Sequence, residues 1–307
     1  MNKILLIGST GQVGWELHRT LMTSGTVIPA NRDPSAPYNI DLGKPDTIRT
    51  VIRDVQPSLI VNAAAYTAVD KAESEPDLAM AINGTAPGII AEEAKRCKAG
   101  MIHYSTDYVF NGSQTRPYLE DDLTDPQSVY GSTKLAGEQA IAAVNDAYLI
   151  FRTSWVYGLK GKNFLLTMLK LAQEREEIKV VDDQVGSPTW SRMIAEATAQ
   201  IVSQGCPDIY QFLAGKHGIY HLTSTSQVSW HGFAKAIFEL SKSFEVGKLR
   251  TLIPIISNQY PSPAQRPAYS CLDTDKISEA FGLKPPHWND ALELVLLDSS
   301  PYLTVNT

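Results

Sequence analysis

From Lys3 to about Trp155, short apolar runs take turns with longer stretches whose apolar residues recur at helical spacing. That alternation narrows the folds open to the chain more than any other feature. KILLIGS reads as a strand ending at Gly8, and GQVGWELHRTLMTSG, with Val13, Leu17 and Leu21 on one stripe, as a helix ending near Gly25. The cycle repeats with TVIPANR as a strand, KPDTIRTVIRDVQP as a helix with Pro45 in its first turn, and SLIVNAAA as a strand. EPDLAMAINGTAPGIIAEEAKRC follows as one long helix, MIHYST as a strand, Tyr130 to Val144 as a helix and AYLIFRTSW as a strand. Strands joined through helices run parallel by right-handed crossovers, and helices cover both faces of their sheet. The expected fold is therefore α/β, a doubly wound Rossmann-type parallel sheet.

The second half is less regular. GKNFLLTMLKLAQERE, TWSRMIAEATAQIVSQG and SWHGFAKAIFELSKS read as helices, IKVVDD and GIYHLTS as strands, and YPSPAQRPAYS as a proline-rich loop. We expect residues 1–160 to form a dinucleotide-binding domain to which later segments return, and 161–307 to form a smaller, partly interleaved, mainly substrate-binding domain. The chain has no apolar run of membrane-spanning length. Strand-like residues from Lys3 leave no room for a signal peptide, and three widely spaced cysteines fit a reduced compartment, so a cytoplasmic protein with no membrane partner is expected. A net charge of −6 without a clustered basic surface argues against a nucleic-acid partner.

IGSTGQVG places Gly8, Gly11 and Gly14 between the first strand and the first helix, where glycines permit a tight turn and let a helix N-terminus receive a pyrophosphate. At the end of the second strand the chain reads Asn31-Arg32-Asp33. A guanidinium there pairs with the 2′-phosphate of NADPH, so Arg32 favours NADPH, while the adjacent Asp33 keeps NADH open. HYSTDYVF puts Ser105, Thr106 and Asp107 at the carboxyl edge of the sheet, and VYGSTKLAGE sets Tyr130 and Lys134 one helical turn apart. That spacing alone decides nothing, because a chain of this composition yields roughly 0.7 such pairs by chance. Convergence of three elements on one crevice is what gives the pair weight. His217 and His221 lie in a turn and strand without metal-ligand spacing and read as structural, and Trp230 and Phe233 read as core.

These residues, with VNAAAYTAVDKAESEP, FRTSWVYG, DDQVGSPT and RPAYSCLDTDK, resemble the extended short-chain dehydrogenase/reductases, nearest to the branch that reduces dTDP-linked 4-keto sugars. The resemblance runs from residue 8 to about 276. It implies that Tyr130 is the catalytic acid, that Lys134 holds the nicotinamide ribose and that Thr106 bonds the substrate oxygen. It also implies that Gly11, Gln12, Val13, Asp41, Leu42, Ala65, Tyr66 and Thr67 line the cofactor. Asp107, Trp155, Asn163, Gln184 and Arg266 would face the nucleotide-sugar. Some relatives dimerise through magnesium held by carboxylates; Glu16 fits one such position, but Arg192 falls where another carboxylate would be needed. No metal is expected here, and a homodimer stays open.

The implied reaction is reduction of the 4-keto group of a dTDP-linked 6-deoxy-4-keto-L-sugar, with Tyr130 as proton donor. A phenol with a pKa near about 10 gives up its proton sluggishly, and the Lys134 ammonium is expected to lower that value. Tyr108 stands where 4,6-dehydratases of the superfamily carry a glutamate, so the base for elimination is missing. A 4-epimerase, which uses the same tyrosine and lysine, and a non-catalytic subunit like the regulatory subunit of methionine adenosyltransferase remain as alternatives.

Overall fold

A computed structural model describes residues 2–303. The strands are β1 (Lys3–Ile7), β2 (Thr26–Ala30), β3 (Leu59–Asn62), β4 (Gly100–Thr106), β5 (Tyr148–Thr153) and β6 (Gly218–His221). They form one six-stranded sheet in the order β6-β5-β4-β3-β1-β2, with every neighbouring pair parallel. The helices that matter for the site are α1 (Gln12–Thr20), α2 (Pro45–Val55), α3 (Ala86–Cys97), α4 (Val129–Val144), α5 (Phe164–Glu174), α6 (Ser191–Gln204) and α7 (Trp230–Leu240). The doubly wound expectation is met.

The strands read as unbroken apolar runs because both faces are covered. In β1, Ile4 and Leu6 enter the core shared with Leu17 of α1 and Ile194 of α6. Leu5 and Ile7 enter the opposite core with Ile52 of α2, Ile90 of α3 and Ile141 of α4. The chain leaves β1 toward β2 on one side and then returns to place β3 on the other, which opens a crevice above the carboxyl ends of β1 and β3. Gly8 closes β1 with φ +84°, and a Cβ there would come within 2.7 Å of the Ala64 nitrogen. A Cβ on Gly14 would lie 2.0 Å from the Gly8 carbonyl oxygen, so the turn and α1 pack backbone against backbone.

Two segments differ from the sequence reading for local reasons. The helix expected across residues 75–97 is interrupted by a π-helical turn, Ala81–Thr85. Pro87 has no N–H to continue the ladder, and the wide turn frees the Asn83 side chain to bind the Tyr66 backbone at both N–H and C=O. SLIVNAAA is a strand only through Asn62; the alanines run on as open chain. In the second half, Glu177–Val181 pairs with Thr251–Ile255 outside the main sheet, and α6 packs on α1. The helices Ile209–Gly215, Asp275–Phe281 and Trp288–Leu303 were not anticipated. Phe233 is core, whereas Trp230 is only partly buried against it. Among the described residues no helix is long and apolar enough to cross a membrane.

The sheet and α4 are joined by a buried ion pair. Glu138 and Arg152, each 2% exposed, meet at 2.7 Å. Ser105 donates to the same carboxylate, and Arg152 also donates to the Glu120 carbonyl. Glu138→Ala strands a buried guanidinium and should cost about 3–5 kcal/mol in urea unfolding. The double variant Glu138→Leu/Arg152→Met should lose clearly less than that single change.

Candidate active site

The crevice at the switch point is a cleft of about 780 Å³. Its walls include Gly8, Gly11, Gln12 and Val13 after β1, Asn31 and Arg32 after β2, Asp41 and Leu42, and Ala65, Tyr66 and Thr67 after β3. Tyr130 and Lys134 line it from α4. Every residue expected to touch a dinucleotide is on this wall except Gly14, which lies beneath it against Gly8. Gly11 precedes α1 without a side-chain cap, so the first N–H groups of the helix face the cleft unclaimed by a side chain, as a pyrophosphate requires. Arg32 lines the cleft, while the Asp33 carboxylate is taken up by the Ser35 N–H at 2.9 Å and the Ser35 hydroxyl at 2.8 Å.

Tyr130 is aimed by the start of α4. The Ser128 hydroxyl accepts from the Gly131 N–H at 3.2 Å, and the Glu73 carboxylate accepts from the Val129 N–H at 2.9 Å. Tyr130, Lys134 and Glu138 then recur every fourth residue along one face of the helix. Burial pushes the Tyr130 phenol up to about 12, and the Thr106 hydroxyl, hydrogen bonded to it, pulls the other way. Lys134 is 1% exposed and brought down to about 8 by burial, with the Glu138 carboxylate opposing that fall. Its Nζ donates to the Tyr104 carbonyl at 2.5 Å and lies 3.1 Å from His103 Nε2. The expected lowering of the phenol by Lys134 is therefore not what this arrangement shows: burial sets the direction, and the lysine is engaged with β4.

The residues expected to face the sugar separate into two groups. Thr106, Asp107 and Arg266 are joined to Tyr130. Thr106 donates to Asp107 Oδ1 at 3.0 Å, Tyr108 packs edge-on to Tyr130 with centroids 5.6 Å apart, and Arg266 reaches the Tyr108 hydroxyl and Asp70. Trp155, Asn163 and Gln184 are tied up elsewhere. Trp155 stands at φ +46° with its indole stacked 3.5 Å from that of Trp230. Asn163 caps α5 through Leu166 and donates to Gln12 Oε1 at 3.0 Å, and Gln184 donates to Ser257. None of these six lines the dinucleotide cleft. Sequence reasoning missed Asn62 and His103, buried behind Lys134, and the stacking role of Trp230. His221 is buried, with Nδ1 at 3.1 Å from the Asp273 carbonyl, and His217 lies beside the Ala214 carbonyl. The Glu16 carboxylate is paired with Arg19 and Arg192, and among the described residues no cluster of three or more metal-ligating side chains occurs.

A family model described as "RmlD substrate binding domain" matches residues 1–300. The dTDP-4-dehydrorhamnose reductase of Burkholderia thailandensis is 46% identical over 301 residues, covering 96% of this chain and 98% of that protein. The chain belongs to the dTDP-4-dehydrorhamnose reductase family. Two solved structures bearing that name superpose on nearly all of it. The Clostridium acetobutylicum structure has a TM-score of 0.86 at 34% identity, covering 96% of this chain and 98% of that one. The Bacillus anthracis structure, solved in complex with NADP, has a TM-score of 0.87 at 32% identity, covering 97% and 99%. That family member holds its NADP on the same fold.

Asp107 carries a measurable electrostatic cost. It is 2% exposed, its Oδ2 has no hydrogen-bond partner, and burial raises it from 3.8 to about 6. The unfolded carboxyl ionises first, so the folded chain loses stability as pH rises through that window. Asp107→Asn should raise the unfolding free energy by on the order of 1–2 kcal/mol at mildly alkaline pH and by little below the unfolded pKa, as read by urea denaturation at both.

Proposed function

We propose that this chain catalyses NADPH-dependent reduction of dTDP-4-dehydro-6-deoxy-L-mannose (dTDP-4-dehydrorhamnose) at its 4-keto group, giving dTDP-L-rhamnose. The observation that carries the reading is that the Tyr130 phenol, hydrogen bonded to Thr106, stands in the same cleft as the glycine turn. Membership of the reductase family names the substrate. Residues 1–160 would mainly hold the dinucleotide and 161–307 the sugar nucleotide, in a cytoplasmic enzyme without nucleic-acid or membrane partners. A homodimer is compatible with this reading.

Bound NADPH supplies the hydride that carbon 4 requires. Tyr130 gives its proton to oxygen 4, and Thr106 steadies that oxygen from the end of β4. A phenol held at about 12 is protonated throughout the neutral range, so it is ready to donate, and the developing phenolate needs a nearby cation. Lys134, one turn away, is the cation available to it and to the nicotinamide ribose. The buried position of Thr106 and Asp107 keeps water from the reacting oxygen. Asp107, Arg266 and Trp155 would orient the sugar, with Asn163 and Gln184 toward the nucleotide.

Purified protein given NADPH and the keto sugar should consume one cofactor per product and release it each turnover. Firmly held NAD with interconversion of 4-hydroxyl epimers and no net oxidation would establish an epimerase instead. Tight dinucleotide binding with no turnover and a stable protein partner would favour a regulatory subunit. Tyr130→Phe should lower kcat by about 10²–10⁴-fold with cofactor affinity nearly unchanged.

Cofactor choice follows from the turn after β2. Asp33 is committed to Ser35, which leaves Arg32 as the charged side chain of that turn lining the cleft. Arg32→Ala should weaken NADPH by about 10–100-fold and NADH little, measured by fluorescence titration of each. Equal losses would remove the 2′-phosphate contact.

A further inference from the structure

His103 lies in β4 at 1% exposure, and each of its ring nitrogens meets one side chain. Asn62 Nδ2 is 3.1 Å from Nδ1, and Lys134 Nζ is 3.1 Å from Nε2. The amide of Asn62 is oriented by its own turn, because its Oδ1 accepts the Ala64 N–H at 3.2 Å. That leaves the NH₂ group facing the imidazole. An amide NH₂ only donates, so Nδ1 accepts and the ring proton sits on Nε2, directed at Lys134. An ammonium has three donors and no lone pair, and would set donor against donor here. An amine accepts from Nε2–H and still donates to the Tyr104 carbonyl at 2.5 Å. The bonds then run in one consistent direction, from Asn62 through His103 and Lys134 to the backbone of β4.

We propose that His103, keyed by Asn62, is a positioning residue that aims Lys134 and favours its amine over its ammonium. In the reductase reading, on which this inference rests, the lysine must be an ammonium to support the phenolate and the ribose. His103 therefore opposes the working form and sets how far into alkaline pH it survives. The groups that face Lys134 are few. Tyr104 and His103 come from β4, and Tyr130 and Glu138 from its own helix; Arg152 of β5 neutralises Glu138 from behind. Asn62 at the end of β3 is neutral. With the carboxylate committed to Arg152 and Ser105, the imidazole is the titratable side chain that bonds Lys134 directly. Burial drives His103 well below its ordinary value, so the ring stays neutral, and brings Lys134 down to about 8, so the amine form is reached from mildly alkaline pH upward.

The test has a spectroscopic arm and a kinetic arm on the full-length protein. With ¹⁵N-labelled histidine, His103 assigned by loss of its signal in His103→Gln should show a protonated Nε2 and an unprotonated Nδ1 at pH above the lysine's titration. The opposite tautomer would overturn the proposal, and this reading needs no turnover, so it stands or falls apart from the reductase assignment. Asn62→Asp keeps an acceptor for the Ala64 N–H but can only accept from the ring, and should move the proton to Nδ1. In the pH profile of kcat/KM, the alkaline limb should shift upward by about one unit in His103→Leu and in Asn62→Asp. The Asn62→Asp shift should shrink when His103 is already leucine. Folded variants whose alkaline limb matches the parent would reduce His103 to a packing residue. Should His103→Leu fail to fold, Asn62→Asp decides the matter by its tautomer alone.

Discussion

A lysine, a glutamate and an arginine lie buried between α4 and the sheet, and the site depends on each finding its partner: Glu138 and Arg152 in one another, Lys134 in the Tyr104 carbonyl and His103 of β4. Lys134 and Glu138 share the face of α4 that carries Tyr130, and Arg152 meets Glu138 from β5. Neither Glu138 nor Arg152 could be left unpaired at 2% exposure, because an uncompensated charge there costs several kcal/mol. The pairing therefore fixes the rotation of the helix about its axis. With that rotation fixed, Tyr130 has one direction in which to point, toward Thr106 and the cleft. An apolar face would bury as well, but it would tolerate a small roll of the helix, and a roll displaces the Tyr130 phenol from the Thr106 hydroxyl.

The same logic of shared contacts builds the cofactor wall. Gly8, Ala64 and Gly14 approach too closely for side chains, so the turn after β1 and the open chain after β3 are held as one surface. Asn83, released by the π-helical turn, holds Tyr66 at the far side of that surface. The second half reaches the wall through Asn163, which both starts α5 and binds Gln12. Gln12 at the start of α1 and the first turn of α5 are thus tied directly across the two halves of the chain.

Much of this was legible because the signals are local. Periodicity reports a strand or helix from a handful of adjacent residues, so β1 to β5 and α1 to α4 were readable, and Gly8, Gly11 and Arg32 could be placed by the elements they follow. What was not legible depends on distant partners. His103 within an apolar strand looks like filler until Lys134 and Asn62 are seen on either side. Trp155 and Trp230 stack from positions 75 residues apart in the chain, and nothing near either one announces the other. The small strand pair Glu177–Val181 with Thr251–Ile255 is likewise a matter of tertiary pairing. The interruption before α3 was hidden for a different reason: Pro87 sat in an otherwise continuous helical pattern.

Proline also matters at the far edge of the sheet. In β2 the Thr26 N–H binds Asn2 and the Ala30 carbonyl binds Gly8, so Thr26, Ile28 and Ala30 turn their backbone groups inward to β1. Val27 and Pro29 turn theirs outward. The outer rim of β2 accordingly lacks an N–H at Pro29, and a foreign strand laid along it would find the ladder broken midway. A long parallel sheet with a bare rim invites edge-to-edge growth at high protein concentration. Pro29 interrupts that route at a position where the fold itself loses no hydrogen bond, and just beyond it the segment from Tyr38 to Ile40 already occupies the outward groups of Asn31.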